Sequence, residues 1–180
     1  MDFSLLLLYT LSVFVLIATP GPVVALIINT SMSQGSAPAL RTAVGTNLAS
    51  LVLALLAVLI LSGTLRLNPV LLNLVSVLGC FFIAYLAVQG LLDGPQPPSQ
   101  RVGGDVGTGF LVGISNPKDI IFFVSFFPQF IQVADSFSTS VTLLTLVWVI
   151  ADFLVLALYI AAARQAFVLV IPPEKSARQK

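Results

Sequence analysis

The sequence has little charge and no histidine. Charged residues make up 8% of its 180 residues, and the formal net charge is +1, whereas about a quarter of the residues in a soluble domain are charged. This composition excludes a soluble enzyme domain, a nucleic-acid-binding domain and a disordered segment. The lack of histidine removes the commonest general base and transition-metal ligand. The single cysteine, Cys80, cannot form an internal disulfide. We therefore expect no enzymatic activity, no cofactor and no metal ion.

Apolar residues dominate in place of charge. They make up 58% of the chain, and the mean hydropathy is +1.07. A membrane-spanning helix needs about 20 apolar residues, and the long runs here do not alternate with polar residues as barrel strands would. The sequence therefore predicts an all-α integral membrane protein. The expected spans are five, namely Phe3–Ile28, Ala43–Leu65, Val70–Leu92, Thr108–Val133 and Val141–Ala163.

One polar loop divides the predicted membrane domain, which covers residues 1–180. The stretch 93–107 is rich in proline and glycine, so it separates a first half (1–92) from a shorter second half (108–180). A shorter turn is expected at 134–140. Five spans place one Lys or Arg on the side of the N-terminus and six on the other side. Because positive residues favour the cytoplasmic side, we expect the N-terminus outside and the C-terminus inside.

Two predicted spans are interrupted by proline, which removes a backbone hydrogen bond and clashes with the preceding turn. The interruptions are Thr19-Pro20-Gly21-Pro22 in the first span and Asn116-Pro117 in the fourth. Thr19 and Asn116 are predicted helix caps, and Pro20 and Pro117 are predicted to occupy the first helical positions after them. Each break is therefore expected to start a new half-helix inside the membrane.

A half-helix that begins inside a membrane leaves backbone N–H groups without partners, and these groups suit an anion such as a carboxylate. The N–H groups expected to be exposed are those of Gly21 and Val23 at the first break and of Lys118, Asp119 and Ile120 at the second. Three-helix halves have inverted topology, and interrupted helices at corresponding positions of two such halves mark the site of many secondary transporters. The alternative is a pair of structural kinks, since proline is common in membrane helices. The matched pair favours transport.

Three charged residues lie inside the predicted spans: Lys118, Asp119 and Asp152. Each costs about 2.5–3.5 kcal/mol at the centre of a spanning helix, so such residues usually face a cavity or pair with one another. One hypothesis is that Asp152 binds an ammonium group or carries a proton while Lys118 attracts a carboxylate. The alternative is a structural ion pair between the fourth and fifth spans. Asn47, Asp119 and Gln129 are further candidates for a transport path, or for hydrogen bonds between helices.

Two patterns of small residues and one run of phenylalanines bear on how the predicted helices pack. Gly109 with Gly113, and Gly45 with Ala49, have the spacing that allows close helix packing in membranes. The phenylalanines between Phe122 and Phe130 are expected either to face lipid or to pack between helices.

The motifs resemble those of the lysine exporter (LysE/RhtB) superfamily over about residues 3–165. The resemblance rests on TPGP in the first span, YLAVQG in the third, GFLVGISNPKDIIFFVSFFPQF in the fourth and VIADFLVLALYIAAARQA in the fifth. It implies a small exporter of amino acids or related metabolites in the bacterial inner membrane, driven by an ion gradient, with protons as the coupling ion, and often a homodimer. The positions that match the family's motifs are Thr19, Pro20, Gly21, Pro22, Asn116, Pro117, Lys118 and Asp152.

The chain departs from that family in three ways. The usual sixth helix is not expected here, so the inverted repeat is one span short. The segment GSAPALRTAVGTNLAS has Ala39 and Ala49 where the family usually has glycines, and Arg41 is its sole positive residue. In the third span, the small residues before the Tyr-Leu pair are partly replaced, as in GCFFIAY. Two functions therefore stay open. One is an exporter of a small zwitterionic or anionic metabolite, and the other is a membrane interaction or structural protein derived from a shortened exporter. Efflux of a divalent cation is disfavoured by the lack of histidine and the scarcity of carboxylates in the spans.

Overall fold

A computed structural model describes residues 1–63 and 104–170, together with the isolated positions 70, 77 and 81. These two stretches contain six α-helices and no strand. The helices are α1 (Phe3–Ala18), α2 (Pro22–Gln34), α3 (Ser36–Leu61), α4 (Val106–Ile114), α5 (Pro117–Ile121) and α6 (Phe137–Val170). A π-helical turn (Phe122–Phe126) and a 3-10 turn (Phe127–Phe130) follow α5. The predicted all-α membrane fold is confirmed.

The described helices are long and apolar enough for several membrane crossings. The stretches Ser36–Leu61 and Phe137–Gln165 each suffice alone. Two further spans exist if each bent pair crosses as a unit: α1 with α2, bent by 55°, and α4 with Pro117–Phe130, bent by 53°. The chain is thus a multi-pass membrane protein. The third predicted span and most of the 93–107 loop lie outside the described residues, so the count of five spans stays a prediction.

The helices in the first half extend beyond the predicted spans. The first span was expected to end at Ile28, but α2 continues to Gln34 and stops at Gly35, whose φ of +100° few other residues adopt. The second span was expected from Ala43, but α3 begins at Ser36. Hydropathy marks the apolar stretch, whereas the helix continues through polar residues until a residue breaks its backbone.

The helices in the second half also start earlier than expected. α4 begins at Val106, inside the predicted 93–107 loop, where the Asp105 side chain accepts a hydrogen bond from the Thr108 N–H at 2.7 Å. α6 begins at Phe137, inside the predicted 134–140 turn, and continues past Ala163 to Val170. At the start of α6, the Thr139 N–H donates to the Ser136 hydroxyl oxygen at 3.1 Å. Asp105 and Ser136 both lie outside the apolar runs that defined the spans, so hydropathy did not mark these helix starts.

An aromatic cluster forms the larger part of the core, between α1, α6 and the turns that follow α5. The Trp148 ring lies 4.7 Å from the Phe122 ring and 4.6 Å from the Phe123 ring, measured between centroids. The Tyr9 hydroxyl donates to the Leu144 carbonyl at 3.0 Å. The buried rings of the cluster are Tyr9, Phe122, Phe123, Phe127, Phe130 and Trp148. For these four phenylalanines, packing between helices is confirmed and a lipid-facing position is wrong.

The two small-residue patterns pack against each other and bring the backbones of α3 and α4 together. A Cβ added at Gly45 would collide with the Val106 carbonyl, and one added at Gly109 would collide with the Thr42 carbonyl. A Cβ at Gly113 would lie 2.8 Å from the Cβ of Ala49. The predicted close packing is confirmed: the small residues of α3 and those of α4 lie at the same helix–helix contact.

The helix before each break packs on the long helix of the other half. α1 lies against α6, and α4 lies against α3. The two long helices also contact each other, and α2 contacts both of them. Because the helix before each break packs against the long helix of the other half, the two breaks lie in the same part of the molecule.

Candidate functional site

At the first break, three residues separate the last residue of α1, Ala18, from the first residue of α2, Pro22. Thr19 has an extended backbone (φ −71°, ψ 122°), the conformation favoured before a proline, and its hydroxyl donates to the Val15 carbonyl at 2.8 Å. α2 starts at Pro22 with Gly21 as its N-cap. The prediction that Thr19 caps the new half-helix and that Pro20 is its first residue is therefore wrong. The second proline, Pro22, takes the first helical position, and Thr19 instead ends α1.

The second break is capped as predicted. Asn116 is the N-cap of α5, its side-chain oxygen accepts from the Lys118 N–H at 3.3 Å, and Pro117 is the first residue. The carbonyl of Asn116 accepts from the Ile120 N–H at 3.1 Å. The backbone N–H groups of Lys118 and Ile120 are thus satisfied within the segment. The expectation that they stay exposed for a ligand is wrong.

Lys118 connects the two breaks. Its ammonium donates to the carbonyl oxygens of Leu16 at 2.8 Å and of Thr19 at 2.9 Å, which lie at the end of α1. The Leu16 carbonyl also accepts from the Thr19 N–H at 3.2 Å. The Thr19 carbonyl lies beyond the last residue of α1, where a helix end leaves carbonyls without intrahelical partners. A Cβ added at Gly21 would lie 3.6 Å from Lys118 Nζ, so that glycine contacts the end of the lysine side chain. The NPK motif therefore reaches the TPGP motif through one side chain, which is 4% exposed.

Tyr159 also contacts the first break, and sequence reasoning missed it. Its hydroxyl donates to the Ala18 carbonyl at 2.7 Å. Tyr159 lies seven residues after Asp152 on α6, so the two side chains share a face of that helix. The seven-residue spacing from Asp152 is the sequence feature that could have identified Tyr159.

Asp152 forms a buried hydrogen bond between the two long helices. Its Oδ2 accepts from Asn47 Nδ2 at 2.9 Å, and both residues are buried. Asp152 interacts electrostatically with Asp119 and Lys118, yet no direct ion pair joins it to Lys118 in the described part of the chain. The alternative of a structural ion pair between the fourth and fifth predicted spans is therefore wrong. Asn47, a candidate for either role, makes an interhelical hydrogen bond.

The remaining candidates differ in their surroundings. Asp119 is buried next to Asn116, whose Nδ2 has no hydrogen-bond partner among the described residues. Gln129 donates from Nε2 to the Ser125 carbonyl at 2.9 Å, within its own segment. The described residues contain no group of three or more carboxylate or thiol side chains that could hold a metal ion.

Helix ends supply the electrostatic setting of the site. The C-terminal end of α1 carries a partial negative charge, and the N-terminal end of α2 carries a partial positive charge. The Lys118 ammonium lies at the negative end, where it satisfies both the charge and the carbonyls. Because Gly21 offers no side chain to cap α2, the N–H groups of the first turn of α2 suit an anionic group brought to the break.

Comparison with known proteins decides the family. The family model described as LysE type translocator matches residues 14–173, a segment that contains both breaks, Lys118 and Asp152. The chain belongs to the LysE type translocator family. This confirms the resemblance inferred from the motifs. No solved structure matches the chain.

Curated relatives are similar to this chain over about 70% of its length. An uncharacterized membrane protein, PA4757, of Pseudomonas aeruginosa is 36% identical over 136 residues, or 69% of this chain and 62% of that protein. A leucine efflux protein of Enterobacter sp. (strain 638) is 28% identical over 136 residues, or 70% of this chain and 63% of that protein. The leucine efflux protein of Salmonella choleraesuis (strain SC-B67) is 28% identical over 132 residues, with 69% and 62% covered. The matched part of the chain thus spans less than two thirds of each relative's length.

Proposed function

We propose that this translocator is a secondary transporter that exports amino acids across the bacterial inner membrane. The observation that carries the proposal is the contact of Lys118 with the broken end of α1, which brings both interrupted helices to one buried point. Broken helices that meet inside the membrane form the substrate site in many secondary transporters. Two relatives with the printed name leucine efflux protein support an amino acid as the substrate.

The site offers separate places for the two charges of an amino acid. Lys118 and the first turn of α2 are positive and suit a carboxylate, as the sequence hypothesis proposed for Lys118. Asp152 is buried and bonded to Asn47, and it suits an ammonium group. Buried ionisable residues in a membrane domain mark a transport path by default. The bent pairs at 55° and 53° support a function for both breaks, as opposed to two unrelated kinks.

The direct test is counterflow in proteoliposomes that contain the purified chain. Leucine is the first labelled substrate, and the other amino acids follow as a panel. We expect counterflow that is lost in Asp152→Asn and in Asn116→Ala and is retained in Ser138→Ala, a substitution outside the site. No counterflow across the panel, from protein shown to be folded, would contradict the proposal and favour the non-transporting membrane protein.

Proton coupling is a separate part of the proposal and rests on Asp152. A carboxylate that accepts one buried hydrogen bond, from Asn47, can exchange a proton as the site opens to either side. We expect the wild type to take up substrate into inside-out vesicles, which corresponds to export from the cell, and this uptake to follow an imposed pH gradient. An Asp152→Asn variant that keeps full transport and its pH dependence would exclude Asp152 as the proton carrier.

Topology and assembly complete the proposal, with the N-terminus outside, the C-terminus inside and a homodimer as the family resemblance implies. Single cysteines placed at Ser138 and Arg101 in a Cys80→Ser background are expected to react with an impermeant thiol reagent from opposite sides, Ser138 from outside. Labelling of position 101 from outside would contradict the orientation. Light scattering of the detergent-solubilised chain measures its oligomeric state.

A further inference from the structure

The carbonyls at the broken end of α1 form a cluster of acceptors. The Leu16 and Thr19 oxygens accept from Lys118 Nζ at 2.8 and 2.9 Å, and the Ala18 oxygen accepts from the Tyr159 hydroxyl at 2.7 Å. Carbonyls exposed by an unwound helix, at its negative end, are the groups that coordinate a mobile coupling cation in many secondary transporters. In this chain, an ammonium group belonging to the protein lies at that place.

The lysine is held among carbonyls and not by a carboxylate partner. Within the described residues, no ion pair links Lys118 to an aspartate, although it interacts electrostatically with Asp119 and Asp152. Its end contacts Gly21 in the same break, and the side chain is almost completely buried. The ammonium therefore makes the contacts that a bound cation would make, with carbonyl oxygens as direct neighbours and carboxylates farther away.

We propose that Lys118 is a tethered cation that fills an internal cation site formed by the Leu16 and Thr19 carbonyls. A lysine from the second break thereby does at the first break what a bound alkali-metal ion does at other broken helices. The site then needs no such ion. Removal of the side chain beyond Cβ opens a cation site that a small free ammonium ion can occupy. This inference goes beyond the proposed function, because it concerns the stability of the break and holds for any substrate.

The experiment is chemical rescue of Lys118→Ala. The full chain and the variant are purified in detergent, and their melting temperatures are measured in ethylammonium chloride and in tetramethylammonium chloride at equal ionic strength. We expect Lys118→Ala to melt about 5–10 °C below the wild type, since a buried polar cluster loses its charged partner. Ethylammonium is expected to recover at least half of that loss, because a ligand that binds the folded state stabilises it. Tetramethylammonium has no N–H donor and is expected to recover none.

Lys118→Met is the matched control. Methionine keeps most of the side-chain length without the charge, so it removes the ammonium donor to the Leu16 and Thr19 carbonyls and leaves no room for an added ion. We expect it to melt below the wild type in both salts, with no recovery by ethylammonium. The wild type is expected to melt at the same temperature in the two salts, because its site is already filled.

Several results would overturn the inference. These are equal recovery of Lys118→Ala by both salts, equal recovery of the Ala and Met variants, and wild-type stability of Lys118→Met. If Lys118→Ala does not yield folded protein in ordinary buffer, extraction in ethylammonium chloride must yield it and extraction in tetramethylammonium chloride must not. The same yield in the two salts, or none in either, also overturns it. Because melting does not depend on transport, a failure here is distinguishable from a failure of the proposed function.

Discussion

The two breaks in this protein differ in where their capping groups come from. At the second break, Asn116 caps the helix that starts one residue later. At the first break, the Thr19 and Ala18 carbonyls accept from Lys118 and Tyr159, which lie about 100 and 140 positions away in the chain. The second break is therefore a local structure that its own sequence specifies, whereas the first is complete only in the folded protein.

This difference also applies to the helices that follow. After the first break, α2 is a regular helix of 13 residues. After the second, α5 has five residues and passes into π and 3-10 turns, with Pro128 inside the aromatic run. Short π segments often occur at functional sites. The rings of this irregular segment pack into the core, so tertiary contacts stabilise a backbone that a regular helix would not have.

The largest effect is expected from breaking the packing that positions the second break. Gly109→Ala adds a methyl group that collides with the Thr42 backbone, and overpacking of this kind costs about 1–3 kcal/mol. Gly107→Ala adds the same group at an exposed position of the same helix. We expect a melting temperature lower by several degrees for Gly109→Ala and little change for Gly107→Ala. Equal melting temperatures would contradict the close approach of α3 and α4.

The next effect tests the hydrogen bond that joins the long helices beside the breaks. Asn47→Ala removes the donor to Asp152 and leaves a buried acceptor without its partner, at a cost of about 1–3 kcal/mol. A double-mutant cycle with Asp152→Ala isolates the pair, and we expect a coupling free energy of at least about 0.5 kcal/mol from chemical denaturation. Strict additivity of the two single substitutions would show that the bond contributes nothing.

A comparison of the two predicted caps sharpens the contrast between the breaks. Asn116→Ala removes a true N-cap and is expected to cost about 1 kcal/mol. Thr19→Ala removes a hydroxyl that, among the described residues, bonds to the Val15 carbonyl of its own helix, so we expect a smaller loss. Melting temperatures of the two variants in the same detergent decide between them. A larger loss for Thr19→Ala would mean that Thr19 caps α2 after all.

The smallest effect is expected from Tyr159→Phe. This change removes the hydrogen bond to the Ala18 carbonyl from a partly exposed tyrosine, at a cost of about 0.5–1 kcal/mol. What distinguishes this variant is the place where the protein is expected to loosen. Amide hydrogen exchange is expected to increase at the end of α1 and to stay unchanged in α5, since the second break has its own cap. Faster exchange in both segments would show that the two breaks are not independently capped.

Much of the fold could be predicted from the sequence because its signals are local. Long apolar runs predicted membrane helices, prolines predicted the breaks, and the glycine spacing predicted close packing. The helix ends could not be predicted as well. Thr19 was assigned as a cap for the next helix because its position before Pro20 resembles that of Asn116 before Pro117. Which of two nearby prolines takes the first helical position depends on the path of the backbone, and a motif does not specify that path.

The sequence by itself determined the class of protein, the position of both breaks, the local cap at Asn116 and the set of buried charges. These follow from hydropathy and from backbone chemistry within a few residues. The tertiary structure alone decided what those charges touch. It directed Lys118 to the carbonyls of α1, joined Asp152 to Asn47 and brought Tyr159 to the first break. The physical reason is that a helix end needs partners that its own neighbours cannot supply, and only packing determines which distant side chain reaches it.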